Sequence, residues 1–450
     1  MTYTLIIDEQ QTNTVILPAT LQASRQTSAA FGSLVTPCRV ISSPRLVDRV
    51  IVAHDVARCL SIPFAADVHV FLTDEAVHFG PLVGILTAGF TKSLHRPVGS
   101  RSFFFAKLLA QEKQVGGFAF LFGAPHIDWE NGMTNGYFYT ERGWERHTVP
   151  LPNVVYNRLP NRRVEKEETF QTMTKTLQTT YGIPIFNGCF FNKWDIYRRL
   201  AAHPKAQPYL PATSAHVTQH TIEQFLARYR EAYIKPADGS LGRGIYHLAK
   251  KNNAYKCRFR DESGEIQTVL FPTAMAAWHH LLAHAPLHRY VIQQAVPLLA
   301  VNGRPADFRV HVNKNEHGIW QVSAIAAKIA GKQSITTHMN SGGIVKTLEE
   351  IFPDAAEREI VLARLSDAAL TLSRCLDEAS ETLIGEIGFD LGVDQQGRIW
   401  MFEANSKPGR SIFKHPKLKD ADERTARLPL AYAVHLSKTA ITEPEALWPC

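Results

Sequence analysis

GEIGFDLGVDQQGRIWMFEANSKPG, residues 385 to 409, decides how the rest of the chain is read. Its alternation of apolar and polar residues predicts two strands, Gly385 to Val393 and Arg398 to Glu403, joined by a tight turn over Asp394 to Gly397. The first strand carries Asp390; the second ends on Glu403, with Asn405 two residues further on. Side chains at i and i+2 of a strand share a face, and the hairpin brings Asp390 alongside them. Three oxygen-bearing side chains then meet at one end of a sheet. Mg²⁺ is commonly held by one or two protein carboxylates, with water and phosphate oxygens completing its shell. The hairpin is therefore a candidate nucleotide–metal site. A plain hairpin with a polar end has the same local pattern, and the upstream sequence must separate the two.

With 450 residues the chain has room for two or three domains. At 45% hydrophobic and 10% aromatic residues it can fill ordinary cores. The formal charge is +7, but acids and bases are interspersed. A nucleic-acid binder gathers its basic residues into a stripe, so this pattern suits anionic ligands and predicts no nucleic-acid partner. Cys38, Cys59, Cys189, Cys257, Cys375 and Cys450 show no CxxC spacing. That argues against structural zinc or a disulfide framework and fits a reducing compartment. MTYTLIIDEQ lacks the basic start and apolar core of a signal peptide. No apolar run reaches the length of a membrane span. The expectation is a soluble, cytoplasmic protein with no membrane partner.

Residues 1 to 78 are β-rich, with TYTLII, NTVILP, CRVIS, DRVIVA and DVHVFLT as short runs broken by turn formers; a small sandwich or barrel is expected. Residues 79 to 185 change pattern. PLVGILTAGF and GGFAFLFGAP are apolar strands flanking the helical SRSFFFAKLLAQEKQV, which predicts a parallel α/β unit. NVVYNRLPNRR resembles a last strand running into a basic loop, where Arg158, Arg162 and Arg163 either meet an anionic substrate or are simply solvated.

From residue 186 to 440 the chemistry concentrates. NKWDIYRRLAAHP starts a helix with Asn192 as cap and Lys193 in its first turn. AYIKP is a strand carrying Lys235. It is followed by ADGSLGRGIYHL, whose Gly239, Ser240, Gly242 and Gly244 form a loop able to close backbone N–H groups on phosphates. The Walker A pattern G-x-x-x-x-G-K-[ST] is absent. RYVIQQAVPL is an apolar strand that breaks at Pro297; ADFRVHV puts Asp307 and Arg309 on one strand face. Lys328 sits among small apolar residues in WQVSAIAAKIAG, where an unpaired ammonium is costly, so a partner anion is implied. THMNSGGI places Asn340 before two glycines, and Glu357 to Glu378 reads as a long amphipathic helix.

In this order these elements resemble the ATP-grasp superfamily. FEANSKPG is similar to the E-x-N-x-x-P-G signature of carboxylate–amine ligases such as D-alanine–D-alanine ligase and the RimK-type glutamate ligases. DFR, AAK, NSGG and FEANSKPGR together resemble the YheC/YheD-type endospore coat-associated group. The likeness covers roughly residues 80 to 435. It implies an α/β (α+β) chain: an ATP-grasp domain over 186–440, preceded by the parallel α/β domain and the small β-rich one. Within the ATP-grasp domain, residues 215–295 would be a lid and 296–435 the metal-binding lobe.

The resemblance also implies roles. Lys193 and Lys235 would meet ATP phosphates under the Gly239–Gly244 loop, and Gln293, Gln294 and Val296 would hold adenine through the backbone. Asp307 and Arg309 would sit near the ribose or phosphates, with Arg309 steadying the transferred phosphate, Lys328 would contact phosphate, and Asn340 would approach the nucleotide. Asp390, Glu403 and Asn405 would bind Mg²⁺, with Mn²⁺ an alternative ion. Lys407 and Arg410 would receive an acidic substrate, either a small molecule or a peptide carboxylate. Spore coat proteins are implied partners, and the coat an implied location beside the cytoplasm. Two departures stand out. QQAVPLL lacks the acid that commonly meets ribose at the hinge, leaving Asp307 for that contact. Gly388 stands where D-alanine–D-alanine ligase carries an arginine, leaving that work to Arg309. The implied reaction is an ATP-dependent ligation through an acyl phosphate. A small-molecule kinase and a non-catalytic nucleotide-binding or structural coat protein are the alternatives.

Overall fold

A computed structural model describes residues 1–23, 25–239, 243–251, 254–331, 334 and 342–447. The alternating runs near the N-terminus become the strands Tyr3–Asp8, Thr14–Pro18, Arg39–Ser43, Arg49–Ala53 and Asp67–Leu72. With Ser28–Phe31, Leu34–Pro37 and Ala76–Gly80 they form one eight-stranded sheet, edged by Leu34–Pro37 and Arg39–Ser43. Tyr3–Asp8 runs parallel to Arg49–Ala53 but antiparallel to Asp67–Leu72. The region is thus a mixed sheet with two edges in place of the sandwich or barrel expected from its short runs.

The next region follows its prediction more closely. Leu82–Leu86 lies between Phe118–Phe122 and Val154–Asn157, all parallel, with Ile185–Phe186 beyond. Every residue of the LVGIL and FAFLF strands is buried, as a sheet covered on both faces requires. A long hairpin, Met133–Thr140 with Gly143–Pro150, extends the Phe118 side antiparallel. The boundary drawn near residue 78 separates strand patterns but not cores: one apolar cluster contains Leu5, Phe31 and Val77 together with Phe118, Phe138 and Ile185.

Two further sheets build the remainder. Thr213–Ser214, Tyr290–Gln294, Glu231–Pro236, Tyr246–Lys251, Ala254–Arg260 and Ile266–Phe271 pair antiparallel in that order. Helices Gln219–Tyr229 and Ala274–His284 close a separate small core on it. The last sheet runs Ile344–Lys346, Trp320–Ile329, Arg304–Lys314, Glu386–Val393, Ile399–Asn405. Phe308, Val310, Phe389 and Leu391 pack with Leu365, Ala368 and Leu372 of helix Ala355–Glu378.

Helix Lys419–Thr442 joins the two halves of the chain. Its Ala426, Leu430, Tyr432 and Leu436 pack with Val83, Ile85, Phe105, Tyr156 and Phe186 of the parallel region, and it also lies against Arg304–Lys314. Gly385, at the entrance to the 386–393 strand, lets this seam close. A Cβ there would stand 2.6 Å from Tyr432 Cδ1 and 2.7 Å from Phe186 Cδ2. Gly385→Ala should therefore force one of two buried rings out of place, at a cost on the order of 1–3 kcal/mol. Urea unfolding measures it, and an unchanged midpoint with unchanged slope would show that the seam is looser than described.

Candidate functional site

The predicted hairpin is present, as Glu386–Val393 and Ile399–Asn405. Its register holds a detail that alternation alone does not predict. Asp390 pairs with Glu403 and Gly388 with Asn405, but Leu391 pairs with Met401, so Phe402 is an extra residue. A one-residue bulge reverses which face later side chains take. Ile399 and Met401 therefore join Leu391 in the core, while Glu403 and Asn405 come round to the face of Asp390. Strict alternation would have put all four on one side. Phe402, left out of the pairing, offers its carbonyl to Lys235 Nζ at 3.1 Å.

Neighbouring strands complete the charged face. Arg309 pairs in register with Asp390, and Asp307 with Lys328. Arg309 Nε donates to Asp390 Oδ1 at 2.7 Å and its Nη2 to Oδ2 at 3.2 Å. Lys328 Nζ stands 3.0 Å from Asp390 Oδ1 and 3.1 Å from Asp307 Oδ1. The partner anion that Lys328 needed is thus a pair of carboxylates. Burial alone would raise the Asp390 pKa, but Arg309 and Lys328 outweigh it and hold the carboxyl well below the usual range. Burial likewise disfavours the Lys328 charge, and Asp307 and Asp390 more than restore it. Gly388 also has a steric reason to lack a side chain: a Cβ would stand 2.6 Å from Pro408 Cβ and 3.4 Å from Arg309 Nη1. Arg309 thus comes within contact distance of the place where the resemblance would have put an arginine.

A cleft opens beside this face, lined by Lys193, Tyr197, Thr213, Lys235, Gln293, Met401, Phe402 and Glu403 among others. Asn192 caps the Lys193–Ala201 helix as expected, accepting from the N–H groups of Trp194 and Asp195. Lys193 Nζ bridges Glu403 Oε1 at 3.2 Å and the Gly239 carbonyl at 2.5 Å. Lys235 Nζ donates to Gln293 Oε1 at 2.7 Å, and Gln293 Nε2 donates to Thr213 Oγ1 at 3.0 Å. Burial and the neighbouring Lys193 push the Lys235 pKa down to about 8, against the pull of Glu403 and Asp390. The Gln293 side chain thus orients a lysine, whereas the sequence pointed only to its backbone.

The other expected residues divide. Gly239 and Gly244 flank the cleft at the Lys193 and Tyr290 side; Ser240, Gly242 and Asn340 lie outside the described residues. Val296 follows the Tyr290–Gln294 strand half-buried, and the N–H of Gln294 goes to the Ala212 carbonyl. Lys407 and Arg410 face inward. Lys407 Nζ contacts Glu165 Oε2 at 2.6 Å and Asn157 Oδ1 at 2.9 Å. Arg410 pairs with Asp422 and Thr425. Arg158 Nη1 meets Glu386 Oε1 at 2.6 Å and is almost covered, Arg162 lies over the Phe190 ring, and Arg163 is exposed. Asn187, in the left-handed region at φ 54°, escaped the sequence reading. Its Oδ1 accepts from the N–H groups of Gly385 and Glu386, and its Nδ2 donates to the carbonyls of Glu386 and Ser406. It clamps both strands of the hairpin. Glu386 was within reach of the sequence, since it shares a strand face with Gly388 and Asp390.

Asp390, Glu403 and Asn405 supply hard oxygen donors of the kind Mg²⁺ takes. Among the described residues no group of three or more His, Cys, Asp or Glu side chains is gathered for a metal. Two carboxylates and an amide oxygen suit an ion that completes its shell from phosphate and water. The same acids are neutralised here by Arg309, Lys328 and Lys193, cations equally able to turn to phosphate.

Comparison with known proteins bears on the whole chain. A family model described as YheC/D like ATP-grasp matches residues 182–436. Over 443 residues the chain is 46% identical to the endospore coat-associated protein YheD of Bacillus subtilis (strain 168), covering 98% of each. Over 280 residues it is 24% identical to the endospore coat-associated protein YheC of the same organism, covering 61% of this chain and 75% of that one. Among solved structures, D-alanyl-alanine synthetase A from Vibrio cholerae aligns with a TM-score of 0.45 at 13% identity, covering 80% of this chain and 99% of that one. Among the described residues no helix is long and apolar enough to cross a membrane.

Removing Lys328 should be costly, because Asp307 and Asp390 would be left to share one guanidinium. Lys328→Met is expected to lose about 3–5 kcal/mol of stability. Adding Asp307→Asn should return part of that loss by deleting a stranded charge. Chemical denaturation of the single and double variants checks both, and additive losses would contradict the network.

Proposed function

We propose that this chain, which belongs to the YheC/D-like ATP-grasp family, binds ATP with Mg²⁺ and uses it to activate a carboxylate for ligation. The observation that carries this reading is that Lys193 and Lys235 enter one cleft with Glu403, beside Asp390, Arg309 and Lys328. Lysines that meet carboxylates, an amide oxygen and backbone carbonyls can exchange those partners for phosphate oxygens without crossing an apolar barrier. Asp390, Glu403 and Asn405 would hold the ion, whose chemistry is to neutralise charge on the terminal phosphates.

Each residue then has a definite task. Lys193 and Lys235 bind the polyphosphate. Arg309, released from Asp390, steadies the transferred phosphoryl group, and Lys328 adds a second positive charge on the same face. The substrate carboxylate attacks the γ-phosphate, ADP leaves, and an amine or related nucleophile displaces phosphate from the acyl phosphate. The arrangement needs no side-chain nucleophile. The hinge strand, with Gln293 and Gln294 at its end and Val296 just beyond, forms the adenine side. We place the protein in the setting its relative's name describes, the endospore coat, with ligation of a small or peptide carboxylate as the activity and coat proteins as partners.

Calorimetric titration with ATP, with and without Mg²⁺, tests the reading. Binding should require the metal and weaken at least about tenfold in Glu403→Ala. A native protein that ignores millimolar ATP would overturn it. ADP release that depends on an added amine separates a ligase from a kinase.

A proton balance gives an independent check. Lys235, with a pKa of about 8 in the free protein, is half neutral at that pH, and a phosphate beside it raises the pKa again. ATP binding should therefore take up about half a proton near pH 8 and almost none near pH 6. The dependence of binding enthalpy on buffer ionisation measures this uptake. Lys235→Met should abolish it.

A further inference from the structure

A second concentration of charge lies away from the lysine cleft, at the carboxyl edge of the parallel sheet. Leu82–Leu86 has Phe118–Phe122 on one side and Val154–Asn157 on the other, so successive connections leave it in opposite directions. Open α/β sheets bind ligands in the crevice that such a reversal creates beyond the strand ends. Here those ends are Thr87–Ala88 and Arg158. Arg101 reaches into the crevice, donating from Nη1 to Thr87 Oγ1 at 2.9 Å and from Nη2 to the Ala88 carbonyl. Thr87 Oγ1 in turn donates to the Arg158 carbonyl at 3.2 Å.

Both of these Arg101 acceptors are neutral. Among the described residues no carboxylate forms an ion pair with it, and Arg158 is near enough to repel it. Arg158 and Arg410 lie over the Phe104 ring, at 5.3 and 5.7 Å from its centre. Among the described residues, the acids paired on this seam are Glu386, taken by Arg158, and Asp422, shared by Lys107 and Arg410. Four cations thus face two carboxylates in a half-buried crevice, an imbalance that a bound anion would relieve. The helix that begins at Ser102, just after Arg101, has no side-chain cap on its N-terminus and adds the positive end of its dipole.

An unpartnered polar atom lies between the two charged regions. His311 is 1% exposed, and its buried Nε2 has no hydrogen-bond partner among the described residues. It shares a strand face with Arg309, pairs in register with Gly388, and meets the Phe413 ring at a tilt of 54°, with Arg410 lying over that ring. Polar groups therefore run along one sheet face from Asp390 through His311 to Glu386 and Arg158. The connection over residues 91–96, between the central strand and the helix, is exposed.

We propose that this crevice receives the second anionic group of a dicarboxylate substrate, through Arg101 and Arg158, while the carboxylate to be activated lies beside Arg309. The placement of the reacting carboxylate rests on the ligase reading; the anion-binding crevice does not. The probes are succinate and propionate, titrated calorimetrically into the full-length protein with and without Mg²⁺ and a non-hydrolysable ATP analogue. Succinate should bind at least about tenfold more tightly than propionate, and Arg101→Gln should remove most of that preference while leaving nucleotide affinity unchanged.

Arg101→Lys keeps the charge but loses the fork, and should fall between the two. It also serves as the test if Arg101→Gln does not fold, and succinate affinity equal to that of the native protein would then overturn the proposal. Equal binding of succinate and propionate, no succinate binding in the millimolar range, or a preference untouched by either variant would each overturn it too. An Arg101-dependent succinate response without any ATP binding would support the crevice and sink the ligase reading. ATP binding without a succinate preference would do the reverse.

Discussion

Four ionised side chains on one sheet face can be buried only as a set. Asp307, Arg309, Lys328 and Asp390 sum to zero charge, and each is largely withdrawn from water. Any one of them alone would cost several kcal/mol in such surroundings. Together they need three strands in a fixed register, because Arg309 must stand opposite Asp390 while Asp307 stands opposite Lys328. The rest of the structure serves that requirement. Helix Ala355–Glu378 packs the apolar underside of the sheet. The charged face meets the cleft and the domain seam.

The bulge at Phe402 is the second constraint. One side of the returning strand must supply Ile399 and Met401 to the core; the other must supply Glu403 and Asn405 to the site. A regular strand of that sequence would place all four on one face. The inserted residue resolves the conflict and turns a carbonyl toward Lys235. It ties the metal-type residues to a lysine on another sheet, so the two lobes of the cleft share one hydrogen-bond system.

Much of this was legible in advance. The strands bearing Lys235, Arg309, Lys328 and Asp390 all occur where period and turn residues put them, and Asn192 caps its helix as its position predicted. The demand that Lys328 find an anion followed from burying an ammonium among small apolar residues, and it was met. Other features were not legible. Gln293 holds Lys235 because its strand lies between Glu231–Pro236 and Thr213–Ser214, a pairing that no local pattern encodes. Lys407 and Arg410 follow the hairpin closely in sequence, yet the chain turns Lys407 toward Glu165, from a distant segment, and Arg410 toward Asp422, on the helix that follows. The first eighty residues show the limit most clearly: strand propensity located the runs, but not their mixed order or the core shared with the next region.

By itself the sequence determined the family, the order of the elements and the chemical types gathered at the site. Those properties reside in local periodicity and in side chains whose charge has a cost wherever they are buried. Only the tertiary structure decided which charges neutralise which, which face Glu403 takes, and that Arg101 meets two neutral oxygens at a sheet edge. Pairings of that kind join residues separated by up to hundreds of positions, and register, bulges and domain docking select among partners that look equivalent along the chain.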